Sequence, residues 1–473
     1  MVFSSISFLC YFLPIFLLVY YFLPKVAKNY FILLSSIFFY SWGAPNFVFI
    51  LLASTFIDFY LVQAMHRQSD QKKKRWLLFT SIFLNVGLLA YFKYANFFVE
   101  NVTVFLALFD VESFAWTSVI LPIGISFYTF QTLTYSIDVY RNVHEPLDKV
   151  SDYMLYIIMF PQLIAGPIVR FNEIADQITD RESKVDDWLH GFFRFIIGLS
   201  KKVLVANVLG AEADAIMGQE DFSQLSTGAA WLGILAYTFQ IYFDFSGYSD
   251  MAIGIGRMIG FKFPENFNSP YISKSISEFW RRWHITLGTW MRDYLYIPLG
   301  GNRASKGRVY FNLWLVFLVS GLWHGASWNF VLWGAFHGLF LILDRLFLLD
   351  ILKKIGTIPA TIITFFIVVL GWVLFRIEDL SEAILYYQRL FAFDFSGIDH
   401  TISTEFILTF AFALLFSFWA RLPSIETMTE TIYFKVYTIK TSVGMLAISG
   451  LLYAWSLSTL AISDFNPFIY FRF

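Results

Sequence analysis

The stretch SGLWHGASWNF, Ser320 to Phe330, sets His324 between the apolar runs LWLVFLV and VLWGAF. An ionisable side chain inside an apolar run is costly and is usually kept for a function. Imidazole is the side chain whose ordinary pKa suits proton transfer near neutral pH, so a general base is one reading of His324. A buried histidine hydrogen-bonded to a neighbouring helix is the other. Gly321, Trp323 and Gly325 flank it, and small neighbours let a second backbone or a substrate come close. His337 lies 13 residues further on. In one continuous helix that is about 20 Å along the axis and roughly 220° around it, so His337 reads as a packing residue. His284 is distant in sequence, and only tertiary structure can bring it near. His66, His144, His190 and His400 fall in loops or near the ends of apolar runs and read as solvated.

A second polar intrusion, YFDFSGYSDMAIG, carries Asp244, Ser246, Tyr248, Ser249 and Asp250. A water-filled tunnel, interhelical hydrogen bonding or the ion path of a transporter would each account for it. Trp323, Asp244, Ser246, Asp250 and Asn329 are the candidates for lining a substrate tunnel. No metal site is expected: there is no H-E-x-x-H pattern, and the single cysteine, Cys10, excludes a cysteine-rich cluster or an internal disulfide framework. With no G-x-S-x-G and no P-loop, a soluble-type hydrolase or NTPase has no support.

The elements that must position these residues are membrane helices. Of 473 residues, 58% are hydrophobic and only 15% charged, and the apolar residues come in long runs. The net charge of -1 gives no case for nucleic-acid binding. We expect an all-α, polytopic protein with about 12 crossing or half-crossing helices. The spans fall at 4–24, 29–42, 47–64, 76–97, 117–138, 187–209, 226–256, 309–323, 326–347, 359–376, 403–420 and 440–462. FPQLIAGP, Phe160 to Pro167, reads as re-entrant, which requires burial in protein or a cavity. The N-terminal apolar run lacks a basic n-region and an A-x-A-like site, and reads as a retained first helix. One membrane domain spanning 1–473 is the simplest organisation, with the last spans, roughly 359–462, peripheral.

Charge orients these spans. Lys25–Lys28, His66–Arg75, the 274–308 segment and Lys353–Lys354 are assigned to the cytoplasm. The loop with Glu100, Asp110 and Glu112, the acidic Ala211–Asp221 stretch and Ile377–Glu382 fall outside, as do both termini. Lys93, Lys201 and Lys202 fit poorly, because they lie within spans. The segment from Phe263 to Arg308 carries seven basic and three acidic residues. FWRRWHITLGTWMRDYL reads as one amphipathic interfacial helix, with Trp280, Trp283, Leu287, Trp290, Met291 and Tyr294 on one face. Such a surface suits anionic lipid headgroups, or an anionic donor such as a CoA phosphate or an acidic carrier protein. Arg281, Arg282, Arg292 and Arg303 are the candidate donor-binding residues.

These motifs resemble the membrane-bound O-acyltransferases, and specifically their bacterial alginate O-acetyltransferase-like branch. The resemblance rests on YFKYANFF, LPIGISFYTFQTLTYSIDVYR, FPQLIAGPIVRF, AYTFQIYFDFSGYSDMAIGIG, ENFNSPYISKSISEFWRRWHITLGTWMRDYLYIPLGGN, SGLWHGASWNFVLWGAFHG and the terminal FIYFRF. It covers most of the chain, with a family-like core at roughly 117–347. It implies a ring of helices around a central tunnel, with His324 and His284 as the two catalytic positions. It also implies cytoplasmic acetyl-CoA as the acyl-donor substrate and no bound cofactor. The acetyl group would leave outside, to partners of the SGNH-hydrolase type that modify a polysaccharide. The location implied is the bacterial inner membrane. Relatives of this kind act on alginate, other exopolysaccharides or peptidoglycan, and a sister branch moves D-alanine toward teichoic acids. With those positions, the mechanism expected is that His324 takes a proton from an acceptor hydroxyl that attacks the thioester, with His284 or a tryptophan N–H available to the oxyanion. A covalent intermediate on histidine or Ser320 stays open. A polysaccharide or ion transporter and a structural scaffold are the competing classes.

Overall fold

The computed structural model describes residues 2–111, 115–182, 184–394, 396–397, 401–422, 437–463 and 465–469. Glu112, His400 and the Tyr470–Phe473 end of FIYFRF lie outside the described residues. Every regular element among the described residues is a helix, with no strand among them. Among the described residues five helices are long and apolar enough to cross a membrane: Val48–His66, Gln71–Ala107, Thr357–Arg376, Thr404–Arg421 and Ile439–Ile462. Phe8–Phe22 is a shorter apolar helix. Every expected span overlaps a helix, although residues 117–124 of the fifth are not helical and that helix begins at Ile125.

Chain contacts divide the protein into two compact units. The first comprises residues 1–184 and 256–263. Its centre is Asp58, fully buried on the Val48–His66 helix. Asp58 accepts hydrogen bonds from Ser81 (2.5 Å), Asn85 (2.9 Å), Ser136 (3.3 Å) and Tyr153 (2.6 Å). One carboxylate thereby ties its own helix to three others, Gln71–Leu89 (Ser81 and Asn85), Ile125–Tyr140 (Ser136) and Val150–Ile158 (Tyr153), and its burial makes those hydrogen bonds obligatory. FPQLIAGP is buried in this unit, beginning with a single helical turn at Phe160–Leu163. Phe160 meets Phe12 at 5.3 Å and Phe16 at 5.1 Å, both edge-on. Burial in protein is what a re-entrant backbone requires.

The second unit comprises residues 185–255 and 264–473. Its long helix Thr227–Met258 carries the second polar intrusion. Lys306–His324 and Trp328–Leu343 form a hairpin joined by residues 325–327. Glycine makes the close crossing possible: a Cβ on Gly321 would collide with the Phe330 carbonyl oxygen and sit 3.2 Å from the Gly334 backbone. Three lysines that fit the charge pattern poorly turn out to be engaged. Lys93 donates to Ser126 Oγ at 3.3 Å, Lys201 pairs with Asp250 at 2.6 Å, and Lys202 pairs with Asp244 at 2.9 Å. A lysine held by a buried partner is not a loop charge, and the orientation rule counts only loop charges.

The single amphipathic helix expected around His284 is not formed. Ile276–Arg282 ends at Trp283, His284 is left-handed (φ 45°, ψ 53°), and Ile285–Trp290 starts a new helix. Trp283, Leu287, Trp290 and Met291 are buried rather than spread at an interface. The cause is a neighbouring loop that competes for the helix's own hydrogen bonds. Asn268 N–H donates to the Arg282 carbonyl (2.9 Å), and Ile285 N–H donates to the Asn266 carbonyl (3.0 Å). The N-cap is Ser275, whose hydroxyl accepts from Glu278 N–H.

Candidate active site

His324 is the last residue of its helix, and Gly325 continues in extended conformation. The break frees the imidazole from the helical stack and points the chain back through the Trp328–Leu343 helix. Gly325 has no room for a Cβ, which would enter the Phe330 ring. His324 is buried and ringed by aromatics. Ring centroids lie at 4.9 Å from Trp323, 5.1 Å from Trp333 and 5.2 Å from Phe375, each close to perpendicular.

His284 completes the group. Its ring centroid is 6.3 Å from that of His324 and 6.0 Å from that of Trp323. Phe245 packs edge-on against its other side at 4.8 Å. The left-handed backbone at 284 is what aims the side chain inward, and for a non-glycine residue that conformation costs about 1–2 kcal/mol. Asn266 braces it. Its Oδ1 accepts from Thr286 N–H at 3.3 Å and from Thr286 Oγ1 at 2.9 Å. Burial pushes the His284 imidazole down to about 3, so it is neutral across the physiological range.

The other candidates separate by role. Asp244 pairs with Lys202, both about 2% exposed, and accepts from the Ile469 N–H at 3.0 Å. Lys202 also donates to the Pro467 carbonyl, so the pair fastens the 465–469 segment. Asp250 is held by Arg194 (2.9 Å) and Lys201, and Arg194 also grips Glu265. These carboxylates are therefore committed to cations within the protein. Ser246 is buried, with no hydrogen-bond partner for its hydroxyl among the described residues. Asn329, in the first turn after the hairpin, donates to the Ile377 carbonyl and ties the hairpin to the end of the Thr357–Arg376 helix. Arg282 is paired with Glu278 at 2.9 Å and Arg292 with Asp293 at 2.7 Å, while Arg281 and Arg303 are exposed.

The solvated reading of His190 is corrected, and for His337 the condition of one continuous helix is not met. His337 is not remote from His324, because the chain turns at 325–327 instead of continuing as one helix. Trp333 lies between them, 5.1 Å from each ring. His190 is buried, not solvated, and stacks on Tyr437 at 4.1 Å. His66 and His144 lie beside Glu145 and Asp176, at 3.2 Å and 3.3 Å. Sequence reasoning missed Asn266, Trp333 and Phe375. Phe375 was out of reach because its helix, Thr357–Arg376, was assigned to the periphery, whereas it packs directly on His324. Among the described residues no group of three or more His, Cys, Asp or Glu could hold a metal ion.

Two buried imidazoles facing each other across an aromatic cage suit proton transfer in a water-poor setting, with one ring as base and the other as neutral hydrogen-bonding partner. The sequence profile of the membrane-bound O-acyltransferase family matches residues 5–374. A probable alginate O-acetylase of Azotobacter vinelandii is 40% identical over the whole of both chains. A peptidoglycan O-acetyltransferase of Helicobacter pylori is 38% identical, covering 81% of this chain and 78% of the relative. A teichoic acid D-alanyltransferase of Streptococcus thermophilus is 30% identical over 47% of this chain and 56% of its own.

Proposed function

This chain belongs to the membrane-bound O-acyltransferase family and is an integral membrane O-acyltransferase, and from that premise we propose that it acetylates an extracytoplasmic polysaccharide with cytoplasmic acetyl-CoA. The observation that carries the proposal is the pairing of His284 and His324, 6.3 Å apart in one buried cage. Whole-length similarity to a probable alginate O-acetylase supports the two-carbon acyl group and an exopolysaccharide such as alginate as the destination.

In this mechanism His324 is the general base. It takes the proton of an acceptor hydroxyl as that oxygen attacks the thioester carbonyl carbon. The carbonyl π electrons move onto oxygen, and collapse of the tetrahedral species expels the CoA thiolate, which takes the proton back from His324. General-base assistance of this kind is worth about 10²–10⁴-fold. His284, neutral and fixed, orients the reacting groups. Holding two substrates in one water-poor site supplies most of the remainder and protects the thioester from hydrolysis. The exposed Arg281 and Arg303 and their basic segment receive the CoA phosphates or an acidic carrier protein.

In the same proposal the chain sits in the bacterial cytoplasmic membrane with both termini outside, and hands acetyl to an SGNH-hydrolase-type partner. Similarity to a peptidoglycan O-acetyltransferase favours peptidoglycan as the second acceptor to try. An ion path through Asp244 and Asp250 is disfavoured, because each carboxylate is already paired. Membranes containing the full chain, supplied with labelled acetyl-CoA, should label the acceptor, and His324→Ala should abolish the labelling. Full labelling by His324→Ala, with polymer export lost, would replace this reading with transport.

A further inference from the structure

The tetrahedral species needs a hydrogen-bond donor aimed at its oxyanion, and a neutral His284 and a tryptophan N–H are the groups beside His324 that can donate. Trp333 stands directly against the base. Its ring is about 1% exposed and meets the His324 ring at 5.1 Å and 86°. Its Nε1 is buried, with no hydrogen-bond partner among the described residues. An indole N–H can only donate, so this group must find an acceptor or bear the full cost of its burial. Buried orphan donors are rare in folded proteins, and one in contact with a catalytic base calls for an explanation.

The surrounding rings narrow the choice. Trp333 is braced by Trp280 at 5.5 Å, His337 at 5.1 Å and Phe375 at 5.1 Å, so its plane is fixed. Trp280 carries an equally orphaned Nε1, but its ring packs on Trp333, Phe317 and His337 rather than on His324. Gly371 keeps His337 in place, since a Cβ there would stand 2.8 Å from His337 Nε2. The indole is therefore held by three neighbouring rings and also meets the base. Such preorganisation lets a donor act on developing charge without moving.

We propose that Trp333 is a catalytic residue whose indole N–H donates to the acyl carbonyl oxygen as that oxygen becomes an oxyanion. The inference rests on the acyl-transfer reading above. No proton leaves the indole. The acceptor hydroxyl proton goes to His324 and then to the departing thiolate, and the hydrogen bond from Trp333 strengthens only while charge sits on oxygen. The same rings offer a purely structural account, in which the N–H points into the π face of a neighbour and contributes packing alone.

Trp333→Phe separates the two. It keeps an aromatic ring in the cage and removes the donor. With labelled acetyl-CoA as probe and the full chain in membranes, kcat should fall about 100-fold, the effect of deleting one oxyanion donor. KM should stay within about threefold. Trp280→Phe should keep kcat within about threefold of the parent. Benzothienylalanine at position 333, which replaces only the N–H by sulfur, should reproduce the Phe result and decides the matter if the Phe variant does not fold. A normal kcat for either Trp333 variant, a loss confined to KM, or an equal loss in Trp280→Phe overturns the proposal. His324→Ala, run alongside, tests the underlying reading separately: full activity there removes the base, whatever Trp333 does.

Discussion

Replacing Asn266 with alanine removes two hydrogen bonds from the segment that presents His284. Both go to Thr286, at 3.3 Å from its N–H and 2.9 Å from its hydroxyl, and both residues are buried. A buried donor stripped of its acceptor costs about 1–3 kcal/mol, and a hydroxyl can rotate toward another acceptor whereas a backbone N–H cannot. Destabilisation of roughly 2–3 kcal/mol follows. His284 itself stores about 1–2 kcal/mol in its left-handed backbone. The brace is worth about as much as the strain it holds, so without it the 283–285 segment should relax and turn the imidazole away from His324. A misdirected ring 6.3 Å from its partner should cost at least about tenfold in kcat, or about 1.4 kcal/mol. The assay pairs thermal unfolding of purified protein with acetyl transfer, for Asn266→Ala, Thr286→Val and the double variant. Because the two side chains share one interaction, their effects should be non-additive by about 0.5–3 kcal/mol. Asn266→Asp, which keeps the acceptor oxygen, should recover part of the loss. Additive effects, or an Asn266→Ala variant with normal stability and rate, would refute the reasoning.

Three further outcomes follow from the same geometry. Gly321→Ala drives a Cβ into the Phe330 carbonyl, so it should destabilise by about 1–3 kcal/mol and displace His324; Gly307→Ala, which meets nothing within 4 Å, should be neutral in the same thermal assay. Lys202→Met strands a buried Asp244 and should cost about 3–5 kcal/mol, whereas Lys202→Met with Asp244→Leu should restore much of it, measured by thermal unfolding. The His284 imidazole titrates near its ordinary pKa of about 6.5 when unfolded and at about 3 when folded. The unfolded chain therefore binds the extra proton, and stability present above pH 6.5 should be lost as pH falls toward 3, at up to about 1.4 kcal/mol per pH unit from this residue. His284→Asn should flatten that part of the stability–pH curve, and an unchanged slope would contradict neutral burial.

Helix positions were legible because twelve apolar runs separated by charge leave few alternatives. The catalytic candidate His324 was legible for the same reason, as an ionisable group where an apolar one belongs. What sequence could not show was how polar groups pair across helices. Asp244 and Asp250 read as tunnel lining until Lys202, Lys201 and Arg194 are placed beside them. The break at His284 was hidden because the FWRRWHITLGTW pattern fits a helix; the loop that overrides it lies 16 to 18 residues upstream and acts through backbone groups that carry no sequence signal. The distance of His337 from His324 depends on whether one helix runs through Gly325-Ala326-Ser327; glycine and serine mark a turn there, and His337 packs on Trp333 beside the site. Trp333 and Phe375 looked like ordinary apolar filling, since nothing in an aromatic residue's spacing says that it packs on a base.

The central claim is that His324 moves the proton during acyl transfer, and one measurement addresses it directly. Membranes carrying the parent chain or His324→Ala receive labelled acetyl-CoA, with protein amount and thermal stability matched. If His324 is the base, acceptor labelling should fall by about 10²-fold or more in the variant, with CoA release falling in parallel. Undiminished labelling by a well-folded His324→Ala protein would contradict it.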